Sequence, residues 1–267
     1  MTACLVSRLS AAGYWLLCTY AVLRVQMSSF LQGEWLASPV SEKIKEWCLA
    51  LSPGAELRVI FGGHWSDNPG WLILDQVDQD IARPLVFPDN SVDVIFTEHV
   101  VEHVDFAVAT GFSKEALRIL KPGGIFRVVC PMLDSILQAD FSGPQCKEYV
   151  TNSLIPCFPR EHTLLLDILG KEGILGAPFE FFLNSMFRKH GHRFLWSSDL
   201  FTRVLYAIGY EHACRYEIGE GANLEYCIER RRRGVYLGND WREEVGRKDV
   251  FDLESTVVEA RKARVFR

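Results

Sequence analysis

Thr97, Glu98, His99, Glu102 and His103 fall within seven consecutive positions, and together they could do chemistry. Imidazole exchanges protons near neutral pH, so His99 and His103 are candidate general bases toward a hydroxyl nucleophile. The plain alternative for either is a histidine hydrogen-bonded at a helix start. The same residues also fit H-x-x-E-H, in which two histidines hold zinc and the glutamate is the base. That pattern needs one continuous helix and a third, distant ligand. Further along, His190-Gly191-His192 sets two histidines at alternating positions. Two alternating histidines without adjoining Cys or carboxylate are ordinary loop residues, so no metal ligand set is assigned.

Positioning these groups is the task of the flanking elements. Val92 to Thr97 is too short and too β-branched for a helix, and Ile125 to Cys130 repeats the pattern. Between them, Ala107, Thr110, Ala116, Leu117 and Leu120 recur at roughly helical spacing. Pro122 fixes φ, and Gly123 tolerates a positive φ, for a turn at Lys121-Pro122-Gly123-Gly124. A strand, a helix and a strand make a βαβ unit, whose right-handed crossover predicts a parallel sheet. Ligands of such sheets bind beyond the carboxyl ends of the strands, where residues 97–103 lie.

Two earlier segments feed the same edge. Leu57 to Phe61 is a buried strand followed by Gly62-Gly63-His64, where glycines allow close backbone approach to a ligand. The stretch Asn68 to Asp75 ends in a carboxylate, which at a strand tip can accept vicinal hydroxyls, as acids do in dinucleotide folds. The competing readings are a plain turn for the glycines and a solvated strand-terminating residue for Asp75.

DNSVDVIFTEHVVEHV followed by EALRILKPGGIFRVVCP resembles the fourth-to-fifth-strand region of class I S-adenosylmethionine (SAM) dependent methyltransferases, in their type-11 branch. With its flanks the resemblance covers about residues 56–217, and more weakly the C-terminal end. It implies a doubly wound, Rossmann-like α/β fold: a seven-stranded, mostly parallel sheet, an antiparallel last strand and a cap insertion after strand five. It places the cofactor on Gly62, Gly63, His64, Asp75, Asp80, Ile81, Thr97 and Glu98. Asp75 would take the ribose, Asp80 the adenine amine, and Ile81 would cover the ring. His64 departs from the family's second glycine. The cap is expected at about residues 132–196, where Asn184 and His192 resemble acceptor-lining positions, which makes His192 a third candidate for acid/base work or substrate contact. Ser255 to Lys262 would be the last strand, inserted between strands five and six. Ser197 or Ser198 would cap a helix running to Ile208 and ended by Gly209.

The activity implied is methyl transfer to a small-molecule or glycan-like acceptor, at oxygen. Two other readings stay open: a degenerate methyltransferase fold acting as a scaffold or binding protein, and a zinc hydrolase built on H-x-x-E-H.

A chain of 267 residues with 48% hydrophobic content can bury one sizeable core. The formal charge of −5 gives no whole-surface attraction to nucleic acid, and Arg230 to Arg233 read as a solvated edge. Eight cysteines form no CxxC pair; reduced thiols suit a cytoplasmic protein. Residues 1–35 form an extension separate from a methyltransferase domain at 36–267. The apolar run Leu9 to Leu23 has fifteen residues, short of the roughly 20 that a membrane-spanning helix needs. A packed or amphipathic helix, an organelle-targeting segment and a membrane-surface anchor remain its three readings.

Overall fold

A computed structural model of the chain describes residues 43–44, 46–47, 50–52, 54–62, 68–139, 141, 144–229, 234–237, 240–243 and 254–264. The expected extension at 1–35, Gly63, His64 and the arginine run at 230–233 lie outside the described residues. Contacts divide the chain into Met1–Leu57 and Arg58–Arg267, and the sheet and the site both belong to the second unit.

Six strands form the main sheet: β1 (Arg58–Phe61), β2 (Leu72–Leu74), β3 (Val92–Glu98), β4 (Leu120–Pro131), β5 (Tyr210–Tyr216) and β8 (Ser255–Lys262). Their order is β2-β1-β3-β4-β8-β5. The first four run parallel, while β8 lies antiparallel to both β4 and β5. A separate antiparallel pair joins β6 (Gly234–Leu237) to β7 (Asp240–Glu243). The chain moves outward from β1 to β2 and then returns to β3, which puts a topological switch point between β1 and β3.

The fold is the expected Rossmann-like one, with two corrections. The sheet has six strands among the described residues, not seven. Where a third strand would extend the β2 edge, Pro84 and Pro88 bracket Leu85 to Phe87. The amides there donate to side chains: Leu85 to Glu115 Oε2 at 2.8 Å and Val86 to Gln79 Oε1 at 3.2 Å. With prolines removing donors and side chains taking the rest, no ladder forms. The second correction concerns helix α1 (Phe106–Ile119), which buries Ala109, Phe112, Ser113, Ala116 and Ile119. Of the positions expected inside, Ala107 is exposed and Thr110 and Leu117 are half-buried. Phe112 explains the rotation, because its ring packs edge-on against Phe61 and Phe126 of the sheet.

Residues between β4 and β5 build a helical layer. It comprises α2 (Leu133–Gln138), α3 (Pro144–Tyr149), which continues through a wide turn at Val150–Leu154 into α4 (Ile155–Cys157), then α5 (Pro159–Leu169) and α6 (Pro178–Arg188). The layer has its own core of Ile136, Tyr149, Leu154, Phe158, Ile174, Phe182 and Met186. Each such side chain contributes about 1.5–3 kcal/mol on burial, so the segment is a packed cap and not a loop. Its two ends meet where Met132 bridges Trp196 and the Leu133 amide donates to the Trp196 carbonyl at 2.8 Å. Helix α7 (Ser198–Ile208) follows, with Ser197 Oγ accepting from the Leu200 amide and Gly209 left-handed at φ 115°.

One charged cluster lies inside. The Arg127 side chain is 0% exposed and contacts Glu229 and Glu259. Its Nη2 also donates to the Glu220 carbonyl at 2.8 Å, so β4 and β8 are tied to the 219–229 segment.

Candidate active site

The switch point gathers the strand ends expected to hold a cofactor. Gly62 follows β1, its amide donates to Leu74 O at 2.8 Å, and its φ is +81°. A Cβ on Gly62 would collide with a Val100 methyl group. Glycine is therefore demanded by the protein's own packing, a contact that joins the β1 end to the β3 end. Asp75 follows β2, and its Oδ1 accepts from the amides of Val77 at 2.8 Å and Asp78 at 3.0 Å. Asp80 Oδ1 similarly accepts from the Ala82 amide at 2.9 Å. Each aspartate thus spends one oxygen on its own turn. Ile81 is half-buried beside them. Gly63 and His64 lie outside the described residues.

Thr97 and Glu98 end β3 and are buried. Among the described residues, Thr97 Oγ1 meets no hydrogen-bond partner, which is costly for a buried hydroxyl and fits a polar ligand at the switch point. A carboxylate at the β2 tip and that hydroxyl suit the ribose and polar groups of SAM.

Beyond β3 the backbone turns sharply, with His99 at φ 50°. A single tight turn, Val101–His103, follows in place of a helix. H-x-x-E-H therefore does not lie along one helix face, and the inverted zinc-hydrolase arrangement is not formed. What forms is a histidine–carboxylate cluster. Glu102 is 0% exposed, and its Oε1 lies 3.1 Å from His99 Nδ1 and 3.9 Å from His103 Nε2. The far ring nitrogen of His99 lies 3.4 Å from Ser255 Oγ at the start of β8.

The third candidate arrives from the cap. The amides of Arg193 and Phe194 both donate to the Glu102 carbonyl, at 2.7 and 3.2 Å. This docks the 190–194 segment on the turn, with the His192 ring edge-on to His103 at a centroid distance of 4.9 Å. His192 Nδ1 lies 2.8 Å from the Met186 carbonyl, so that nitrogen carries the proton and donates. Burial holds the His192 pKa below the ordinary imidazole value, opposed by Glu102 and the Met186 carbonyl. His190 is lowered as well, first by burial and then by the neighbouring histidines. Its Nε2 lies 3.1 Å from Ser185 Oγ.

Asn184 stands apart. It is exposed on α6, and its amide donates to the Glu180 carbonyl of the same helix at 2.8 Å. The residues that hold the site together were not singled out from sequence. Arg118 donates to the Leu85 and Phe87 carbonyls and to Glu115 and Asp89, fixing the loop after Asp80. Glu115-x-x-Arg118 on an amphipathic helix was the available signal, since both fall on the side facing that loop.

Residues 63–128 match the family model described as methyltransferase domain. Among solved structures, a methyltransferase from Haloferax volcanii, in complex with the Trm112 methyltransferase activator, aligns at 13% identity over 83% of this chain and 90% of its own, with a TM-score of 0.38. A SAM-dependent methyltransferase from Thermotoga maritima aligns at 15% identity over 93% of this chain and 99% of its own, TM-score 0.36. A methyltransferase from Bacillus halodurans aligns at 16% identity over 85% of this chain and 100% of its own, TM-score 0.37. Comparison with curated proteins gives no match. Residues 63–128 thus match a methyltransferase domain, and the sheet order with its switch point is that of a Rossmann-like fold.

Proposed function

We propose that the chain transfers the methyl group of SAM to a hydroxyl of a small-molecule or glycan-like acceptor, with His99 receiving the hydroxyl proton. The observation that carries this reading is the His99–Glu102 pair at the carboxyl end of β3. SAM supplies a methyl group on a sulfonium, whose departure needs no acid. The chain's own task is to place the acceptor, exclude water and take one proton.

Glu102 suits that task because it is buried and fixed. Its Oε1 orients His99 through Nδ1, which leaves the far nitrogen as the one to accept a proton. The His99 side chain is 18% exposed, enough to meet a bound acceptor. The cap provides the cover, with the His192 loop docked on the same turn. His103 and His192 then line the acceptor side, and an acceptor oxygen would sit among the three rings.

The test is transfer of labelled methyl from SAM into extracts and into phenol, sugar and glycan panels, followed by kinetics of His99→Ala on the acceptor found. Turnover should fall by about 10²–10⁴ while SAM affinity by calorimetry stays unchanged. Full turnover in His99→Ala would overturn the assignment of the base. Labelling confined to carboxylate or amine acceptors would overturn the choice of oxygen in a hydroxyl.

A further inference from the structure

The H-x-x-E-H pattern is not a helix, yet the fold builds a different ligand set from part of it. A carboxylate oxygen of Glu102, a ring nitrogen of His103 and a ring nitrogen of His192 lie within 4.8 Å of one another. We propose that Glu102, His103 and His192 form a site for a divalent first-row transition cation of the zinc type.

Four features of the structure support this, and none depends on the methyl-transfer reading. First, Glu102 is 0% exposed, and its Oε2 meets no hydrogen-bond partner among the described residues. Oε1 is taken up with His99, so one buried carboxylate oxygen is left over on a side chain held from both ends. A buried carboxylate oxygen without a partner is costly, and a bound cation is one of the few things that relieves it. Second, His192 already has the outer contact that metal-bound histidines show. Nδ1 donates to the Met186 carbonyl, which fixes the tautomer and leaves Nε2 as the lone-pair donor. Third, the set is reachable, because the His103 side chain is 38% exposed while Glu102 is enclosed. Fourth, the two histidines come from opposite sides, one on the turn after β3 and one on the cap. They are held together by the paired Arg193 and Phe194 amides on the Glu102 carbonyl.

The donor chemistry selects the ion. Two imidazole nitrogens and one carboxylate suit Zn²⁺ or its neighbours, whereas Mg²⁺ and Ca²⁺ call for sets made mainly of oxygens. Three protein ligands also leave a coordination position open, as at catalytic and not structural zinc sites.

Calorimetric titration of the EDTA-stripped full chain with ZnCl₂, with no SAM or acceptor present, tests this directly. Saturable one-to-one binding is expected, with MgCl₂ producing no comparable signal. His103→Ala and His192→Ala should each weaken Zn²⁺ by at least about tenfold, the scale seen even for residues that only support a metal ligand. His212→Ala, an exposed histidine on β5, should leave binding unchanged. Titration with CoCl₂ reports the ligands by colour: visible bands without sulfur-to-metal charge transfer are expected. A strong near-ultraviolet thiolate band would place the ion at Cys157 and His190, which are 4.0 Å apart, and overturn the assignment. So would the absence of saturable Zn²⁺ binding, or a His103→Ala/His192→Ala double variant that binds like the parent chain.

Discussion

Asp75 is a turn residue that also stands where a ribose-binding carboxylate is expected. Oδ1 closes the turn after β2, and the carboxylate charge sits at the tip where the ribose of SAM is expected. The two roles are separable by substitution. Asp75→Asn keeps an oxygen for the Val77 and Asp78 amides but removes the charge. It should weaken SAM by about 1.5–3 kcal/mol, or some tenfold to 150-fold, with the melting temperature held. Asp75→Ala should lose both affinity and melting temperature. If the asparagine variant binds SAM as the parent does, Asp75 is a turn residue only. Gly62 carries a related lesson. Its type read correctly as a place where atoms approach closely, but the approaching atoms belong to Val100. Nothing in a string of residues distinguishes a ligand from a distant valine as the neighbour of a glycine.

Among the elements, α1 does more than cross between β3 and β4. Glu115 and Arg118 on it grip the loop at Leu85 to Phe87. Arg118→Ala, which leaves two backbone carbonyls short of donors, should cost about 2 kcal/mol and loosen the loop carrying Asp80 and Ile81. The pair also sets a pH dependence. Hydrogen bonding from Arg118 holds the Glu115 carboxyl below its ordinary value, against the opposing effect of burial, with help from the Leu85 amide. A carboxyl depressed by folding adds stability above its unfolded pKa, and that stability disappears as pH falls through the folded value. Glu115→Gln should therefore melt lower at neutral pH and show a shallower loss on acidification, read from melting temperatures across an acid series. Element types were legible because β-branched runs, the Lys121-Pro122-Gly123-Gly124 turn and the Ser197 and Gly209 caps are local signals. The face of α1 was not, since Phe112 is drawn inward by Phe61 and Phe126 from elsewhere in the chain. The His103–His192 meeting was equally hidden, because the carboxylate that His190-Gly191-His192 lacks nearby is supplied by Glu102.

At the scale of the sheet unit, Arg127 is enclosed between two glutamates that lie far along the chain. Removing one partner leaves an unmatched charge indoors, so Glu229→Ala should cost about 3–5 kcal/mol in denaturant unfolding. Replacing all three by apolar residues of similar size, as in Arg127→Met with Glu229→Leu and Glu259→Leu, should recover much of that loss. A triple variant as unstable as Glu229→Ala would show that the cluster matters through shape and backbone contacts instead of charge balance.

Two successive amides, those of Arg193 and Phe194, hang on one carbonyl, that of Glu102. Their protons can trade with heavy water only when the cap's closing segment lifts from the turn beneath it. The pair is a built-in clock for that opening, and any molecule or ion gripping both sides must slow it.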